Sequence, residues 1–117
     1  MKPRWFAGVV LLVAVGCGGD PVGNTTDGRA VFQAMCATCH GLEGRPPAAM
    51  IARIGVRDLT EREFRARVTP ALVEHQVRVG SKSKLMPAFE GALSDAQITA
   101  VAALVASPAF GGSAPPR

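Results

Sequence analysis

Five residues, Cys36-Ala37-Thr38-Cys39-His40, constrain what this chain can become more than any other feature of its 117 residues. On a helical turn, positions three and four apart share a face, so both thiols and the imidazole address one object. A C-x-x-C-H run of this kind reads as a covalent attachment site for c-type haem. The thiols would add across the two vinyl groups as thioethers, and the imidazole would bind iron from one side. Gly41 follows at once, which suits a chain that leaves its helix and turns around the ring edge. Two other chemistries use the same cysteine spacing, namely half of a zinc site and a thiol–disulfide redox pair. Zinc wants four ligands, and beyond the motif the chain offers only Cys17 and His75 as usual donors. A thioredoxin-like pair wants a βαβ pattern, and none is visible.

A low-spin electron carrier needs a second iron ligand from the opposite side, and Leu85-Met86-Pro87-Ala88-Phe89 supplies a candidate. The thioether of Met86 is a soft donor that favours reduced iron, and Met/His ligation raises the reduction potential. Pro87 pins the backbone beside it. A lone methionine is ordinarily a core residue, but its competitors here are weaker. Met35 adjoins Cys36 and falls on the wrong side of the ring, Met50 lies soon after His40, and Met1 belongs to the leader. His75 falls in a helical pattern where Glu74 and Arg78 form an i,i+4 pair, and reads as a surface histidine.

With these residues in view, the chain resembles the small class I cytochromes c. The matching positions are Gly28-x-x-x-Phe32 ahead of Cys36-x-x-Cys39-His40-Gly41, then Leu85-Met86-Pro87-Ala88-Phe89, then Leu93-Ser94-Asp95 opening a last helix. The resemblance runs from about Thr26 to Ser107. It implies one covalent haem c held by Cys36, Cys39 and His40, with Met86 as sixth ligand, and a protein that shuttles single electrons. Pro46-Pro47 lies where related proteins use a proline carbonyl to receive the proximal imidazole N–H; the pair also reads as a rigid loop corner. One departure is visible. The last helix of such proteins often carries an aromatic residue that packs on the first, and Ala102-Ala103-Leu104-Val105 has none.

Between the ends only helical periodicity is legible, so the expected fold is all-α, with about four helices around one haem. Thr26 is the expected N-cap of the first helix, on which Val31, Phe32 and Met35 share a face. Thr60 and Glu63 form a capping-box pattern for a helix from Glu61 to Val68. Thr69-Pro70 opens the next helix and Gly80 closes it. Ser94 and Gln97 repeat the capping-box pattern, and Ile98, Val101 and Val105 give the last helix a buried stripe. So small a domain has little protein-only core, so the porphyrin must act as its centre.

The ends read differently. Residues 1–16 carry Lys2 and Arg4 and then an apolar run from Trp5 to Val15, too short to span a bilayer as a mature helix and typical of a secretory signal. Ala14-Val15-Gly16-Cys17 resembles a bacterial lipoprotein processing site, which makes Cys17 the expected lipidated first residue; Ala14-x-Gly16 also suits ordinary signal peptidase. Residues 17–26 read as a flexible tether, 27–107 as the cytochrome c domain, and 108–117 as a disordered tail rich in Pro, Gly and small residues. The expected location is outside the cytoplasm, on the periplasmic or outer face of a bacterial membrane.

The chain has 13 basic and 9 acidic residues, and loss of Lys2 and Arg4 cuts that excess to two. Haem propionates would remove most of the remainder, so nucleic acid is not an expected partner. Lys82 and Lys84 immediately precede the Met86 loop. They read either as a basic rim that steers an acidic redox partner or as a solubilising loop. No nucleophile–base pair and no phosphate-binding loop points to an enzyme. The expected role is a membrane-tethered one-electron carrier in a respiratory-type chain. The alternatives are a haem-based sensor and an electron-entry subunit of a larger oxidase or dehydrogenase.

Overall fold

The computed structural model describes Met1 and residues 20–112; the leader and the expected lipidation site Cys17 lie outside the described residues. Six helical segments are present: α1 (Gly28–Met35), α2 (Ala37–His40), α3 (Ala48–Ile54), α4 (Arg62–Arg67), α5 (Pro70–Val79) and α6 (Asp95–Ala106). Among the described residues there is no strand, only an isolated bridge between Glu90 and Leu93. The all-α expectation holds, and all four expected helices are present. The first helix breaks at Cys36, and α3 emerges from a stretch that reads as a loop corner. Its signals are present: Pro47 sits at the N-cap and Gly55, at φ 62°, closes the other end.

Two expected caps are corrected. Asp27, not Thr26, caps α1, because its carboxylate accepts from the N–H groups of Arg29 and Ala30 and its charge favours the helix N-terminus. The Thr60 box does not form. Thr60 donates its N–H to the buried Asp58 carboxylate at 2.9 Å and its hydroxyl to the same oxygen, so the side chain is committed upstream and α4 starts without a side-chain cap. The other two caps are as expected. Thr69 accepts from Leu72 N–H with Pro70 in the first turn, and Ser94 and Gln97 form the reciprocal capping box.

Packing centres on the crossing of α1 and α6. Gly28 lies so close to the Ala100 carbonyl that a Cβ would collide with it. Val31, Phe32, Ile98 and Val101 are almost wholly buried there. The aromatic that α6 lacks arrives from beyond its end: the Phe110 ring meets Phe32 edge-on, with centroids 5.1 Å apart and planes at 76°. The chain therefore does not trail off directly after Ser107, though residues 113–117 of the expected disordered tail lie outside the described residues. Arg65 holds this return in place by donating to the carbonyls of Val105 and Ser107, each at 2.7 Å, while its guanidinium lies over the rings of Phe64 and Phe110.

The start of the domain is likewise more ordered than a tether. Val22 is buried, and the Gln97 side-chain amide donates to the carbonyls of Gly23 (2.9 Å) and Thr25 (3.0 Å). One capping glutamine thus fixes both the start of α6 and the approach to α1. The sequence pattern misses both end contacts because each joins residues far apart in the chain.

Candidate haem pocket

The core is not solid. A cavity of about 620 Å³ opens within it, bordered by side chains that also build the core, among them Phe32, Val73, Val77 and Val101. Close-packed interiors leave few voids larger than a water molecule, and small-molecule sites run to about 300–1,000 Å³. The void is therefore a binding site. Cys36, Cys39, His40 and Met86, the four residues singled out by motif, all border it. His75 does not; it is exposed on α5.

The attachment motif spans the junction of the first two helices. Cys36 ends α1 with φ −117° and ψ −34°, and α2 then makes a single turn to His40. Gly41, at φ 77°, turns the chain away so tightly that a side chain there would strike the Arg45 backbone. Burial, reinforced by the neighbouring Cys39, pushes the Cys36 thiol up to about 11, so in the bare polypeptide it stays protonated at neutral pH. Among the described residues no three His, Cys, Asp or Glu side chains group to hold a metal ion, so the zinc alternative gains no ligand set.

Burial also lowers the His40 imidazole below its ordinary range, against a smaller opposing effect of a backbone hydrogen bond. That bond sets the tautomer. His40 Nδ1 lies 3.0 Å from the Arg57 carbonyl oxygen, which can only accept, so Nδ1 carries the proton and Nε2 keeps a free lone pair. The expected acceptor was a carbonyl of Pro46 or Pro47. Instead α3 carries the chain past both prolines, and the return segment, pinned by Leu59 N–H to the Gly44 carbonyl at 2.8 Å, presents Arg57. No local sequence signal marks that carbonyl.

Met86 comes from the segment after α5. Gly80 closes that helix at φ 73°, and a Cβ there would lie 2.5 Å from the Met86 carbonyl oxygen, so the loop folds back against the glycine itself. Ser81 N–H donates to that carbonyl at 2.9 Å, and Met86 N–H donates to Ser81 Oγ at 3.0 Å. Phe89 N–H then returns to the Val77 carbonyl at 2.9 Å, fixing the loop to α5. Met86 is half-buried, whereas Leu85 is 56% exposed. Lys82 and Lys84 are both exposed, the latter at φ 64°.

A helical shell around a cavity furnished with two thiols, a neutral imidazole and a thioether defines a mono-haem c-type cytochrome. The family model described as cytochrome c oxidase, cbb3-type, subunit III matches residues 23–105, and the chain belongs to that family. Membership brings covalently bound haem c and haem-based electron transfer. Among solved structures, the chain is similar to the KustC0563 c-type cytochrome, with 25% identity, a TM-score of 0.60, and coverage of 68% of this chain and 94% of that one. A tyrosine-to-phenylalanine variant of the same cytochrome matches at 26% identity and TM-score 0.60, covering 68% and 95%.

Proposed function

We propose that this protein is a membrane-tethered carrier of single electrons in a respiratory-type chain, with Cys36 and Cys39 as the thioether donors and His40 and Met86 as axial ligands. The observation that carries this reading is the convergence of all four side chains, from two distant parts of the sequence, on one apolar cavity. When bound, haem supplies the Fe(II)/Fe(III) couple. The polypeptide's part is to position and to tune. The Arg57 carbonyl orients His40 and leaves Nε2 free to bind. The Met86 thioether favours reduced iron, and the apolar walls exclude water, which also favours the less charged state. Neither ligand gains or loses a proton in the cycle, so little has to move when an electron arrives.

Lys82 and Lys84 border the exposed side of the Met86 loop, where positive charge would speed encounter with an acidic redox partner. Export and lipidation at Cys17 complete the proposal, because tethering raises the effective concentration of partners that share the membrane. The family's description favours a second reading, in which the domain delivers electrons within a larger oxidase.

Visible spectra of the purified reduced and oxidised protein test the site. Replacing Cys36 and Cys39 together by alanine should abolish haem staining on a denaturing gel. Met86→Ala should admit exogenous ligands and lower the potential, while His75→Ala should leave the spectrum unchanged; the reverse pattern would exchange the two assignments. Mass spectrometry of the mature N-terminus tests the anchor, since Cys17→Ser should remove an acyl mass and leave the haem intact. Co-purification with oxidase subunits separates the two readings of the carrier's place.

A further inference from the structure

We propose that Ser81 is the positioning residue for the Met86 thioether, closing residues 81–86 into a ring that holds the sulfur at the pocket. The proposal rests on the reading of Met86 as an axial ligand and deepens it.

Ser81 satisfies both backbone polar groups of Met86. Its N–H donates to the Met86 carbonyl at 2.9 Å, and its hydroxyl oxygen accepts the Met86 N–H at 3.0 Å. The hydroxyl also lies 3.1 Å from Ser83 Oγ, and Ser83 Oγ in turn accepts Leu85 N–H at 3.4 Å. The ring stands on a fixed base. Gln76 donates its side-chain amide to the Gly80 carbonyl at 2.7 Å and accepts the Gly80 N–H at its own backbone carbonyl at 2.9 Å. Ser81 is therefore anchored from below, and what it grips inherits that anchorage.

Side-chain packing does little of this work. Lys82, Ser83, Lys84, Leu85 and Pro87 are all exposed; Ser83, Leu85 and Pro87 touch the cavity only at its edge, and from 82 to 87 Met86 alone is half-buried. A loop with so little buried side-chain surface depends on its hydrogen bonds to keep one conformation, and Ser81 supplies the pair at Met86. An exogenous ligand reaches the iron only after the thioether is displaced, and displacement is easier when the loop has other conformations to adopt. Removing the Ser81 hydroxyl should therefore raise the apparent affinity for such a ligand and lower the reduction potential, without touching any group that binds iron.

Imidazole titration of the oxidised holoprotein, followed by visible absorbance, reads this directly. Ser81→Ala should lower the apparent imidazole Kd about five- to tenfold, the equivalent of one hydrogen bond, and lower the potential. Ser81→Thr keeps the hydroxyl and should restore both values. Arg65→Ala, which loosens the fold far from this loop, should leave the Kd at its wild-type value. An unchanged Kd in Ser81→Ala, a Thr variant that behaves like the Ala variant, or an equal shift in Arg65→Ala would each overturn the proposal. Met86→Ala separates the two levels: if it leaves imidazole affinity unchanged, the axial assignment falls and this proposal with it. If Met86→Ala opens the iron while Ser81→Ala is silent, this proposal alone falls.

Discussion

The α1/α6 crossing and the Met86 loop border the same cavity and are held by different forces. At the crossing, Val31 and Ile98 are fully buried, Phe32 interlocks with Phe110, and Gly28 lets the two backbones approach. In the loop, most side chains face water, and position is set by the Ser81–Met86 hydrogen bonds and the close approach to Gly80. Apolar packing resists global unfolding; a hydrogen-bonded loop resists only its own opening. The wall beside the C-x-x-C-H motif is thus set by packing and the Met86 wall by hydrogen bonds, so a substitution can act on one without the other.

The largest expected effect is at the crossing. Phe32→Ala should lower the unfolding free energy of the holoprotein by about 3–5 kcal/mol, the usual cost of a buried aromatic deletion. Denaturant unfolding measures it, and methionine ligation should survive until the global transition. If ligation fails well before the fold does, the two regions are not independent.

Gly80→Ala should act on the loop instead. At φ 73° and with a Cβ aimed 2.5 Å from the Met86 carbonyl, the new methyl must push the loop away, at a cost of about 1–3 kcal/mol. The spectrum should lose its methionine-ligated signature while haem stays attached. Retention of normal ligation would mean that Gly80 does not govern the loop.

Arg65→Ala sharpens the other side of the comparison. It strips charged hydrogen bonds from the Val105 and Ser107 carbonyls and frees the Phe110 return. Partial exposure lets water replace some of them, so about 1–2 kcal/mol should be lost in denaturant unfolding. The iron spectrum should not change.

The smallest effect on the fold belongs to Lys82→Gln with Lys84→Gln, where stability should stay within roughly 0.5 kcal/mol of wild type. Stopped-flow reduction of an acidic partner should slow at low ionic strength, and the difference should fade as salt screens it. A salt-independent rate would detach these lysines from docking.

The haem motif, the Met86-Pro87 loop, the Thr69-Pro70 start and the Ser94/Gln97 box were legible in the sequence because each is chemistry between near neighbours. Glycine and proline mark turns wherever they stand, and a capping box closes on itself within four residues. The same locality misled at Thr60. Its spacing to Glu63 is correct, but Asp58 lies nearer and takes the hydroxyl. α3 was hidden by its own start signal, since a double proline reads equally as a corner.

The sequence by itself determined an all-α chain, the identity of the cofactor it holds and the four side chains that border its cavity, because those depend on residue type and short spacing. Only the tertiary structure decided that Arg57 orients His40, that Ser81 grips Met86, that Gln97 draws in Gly23 and Thr25, and that Phe110 supplies the aromatic missing from α6. Three of these join distant segments, and which carbonyl or ring arrives there depends on how every intervening turn closes. The fourth, Ser81 with Met86, is short in sequence yet set by the Gly80 backbone, whose conformation is fixed by the helix and loop packed on either side of it.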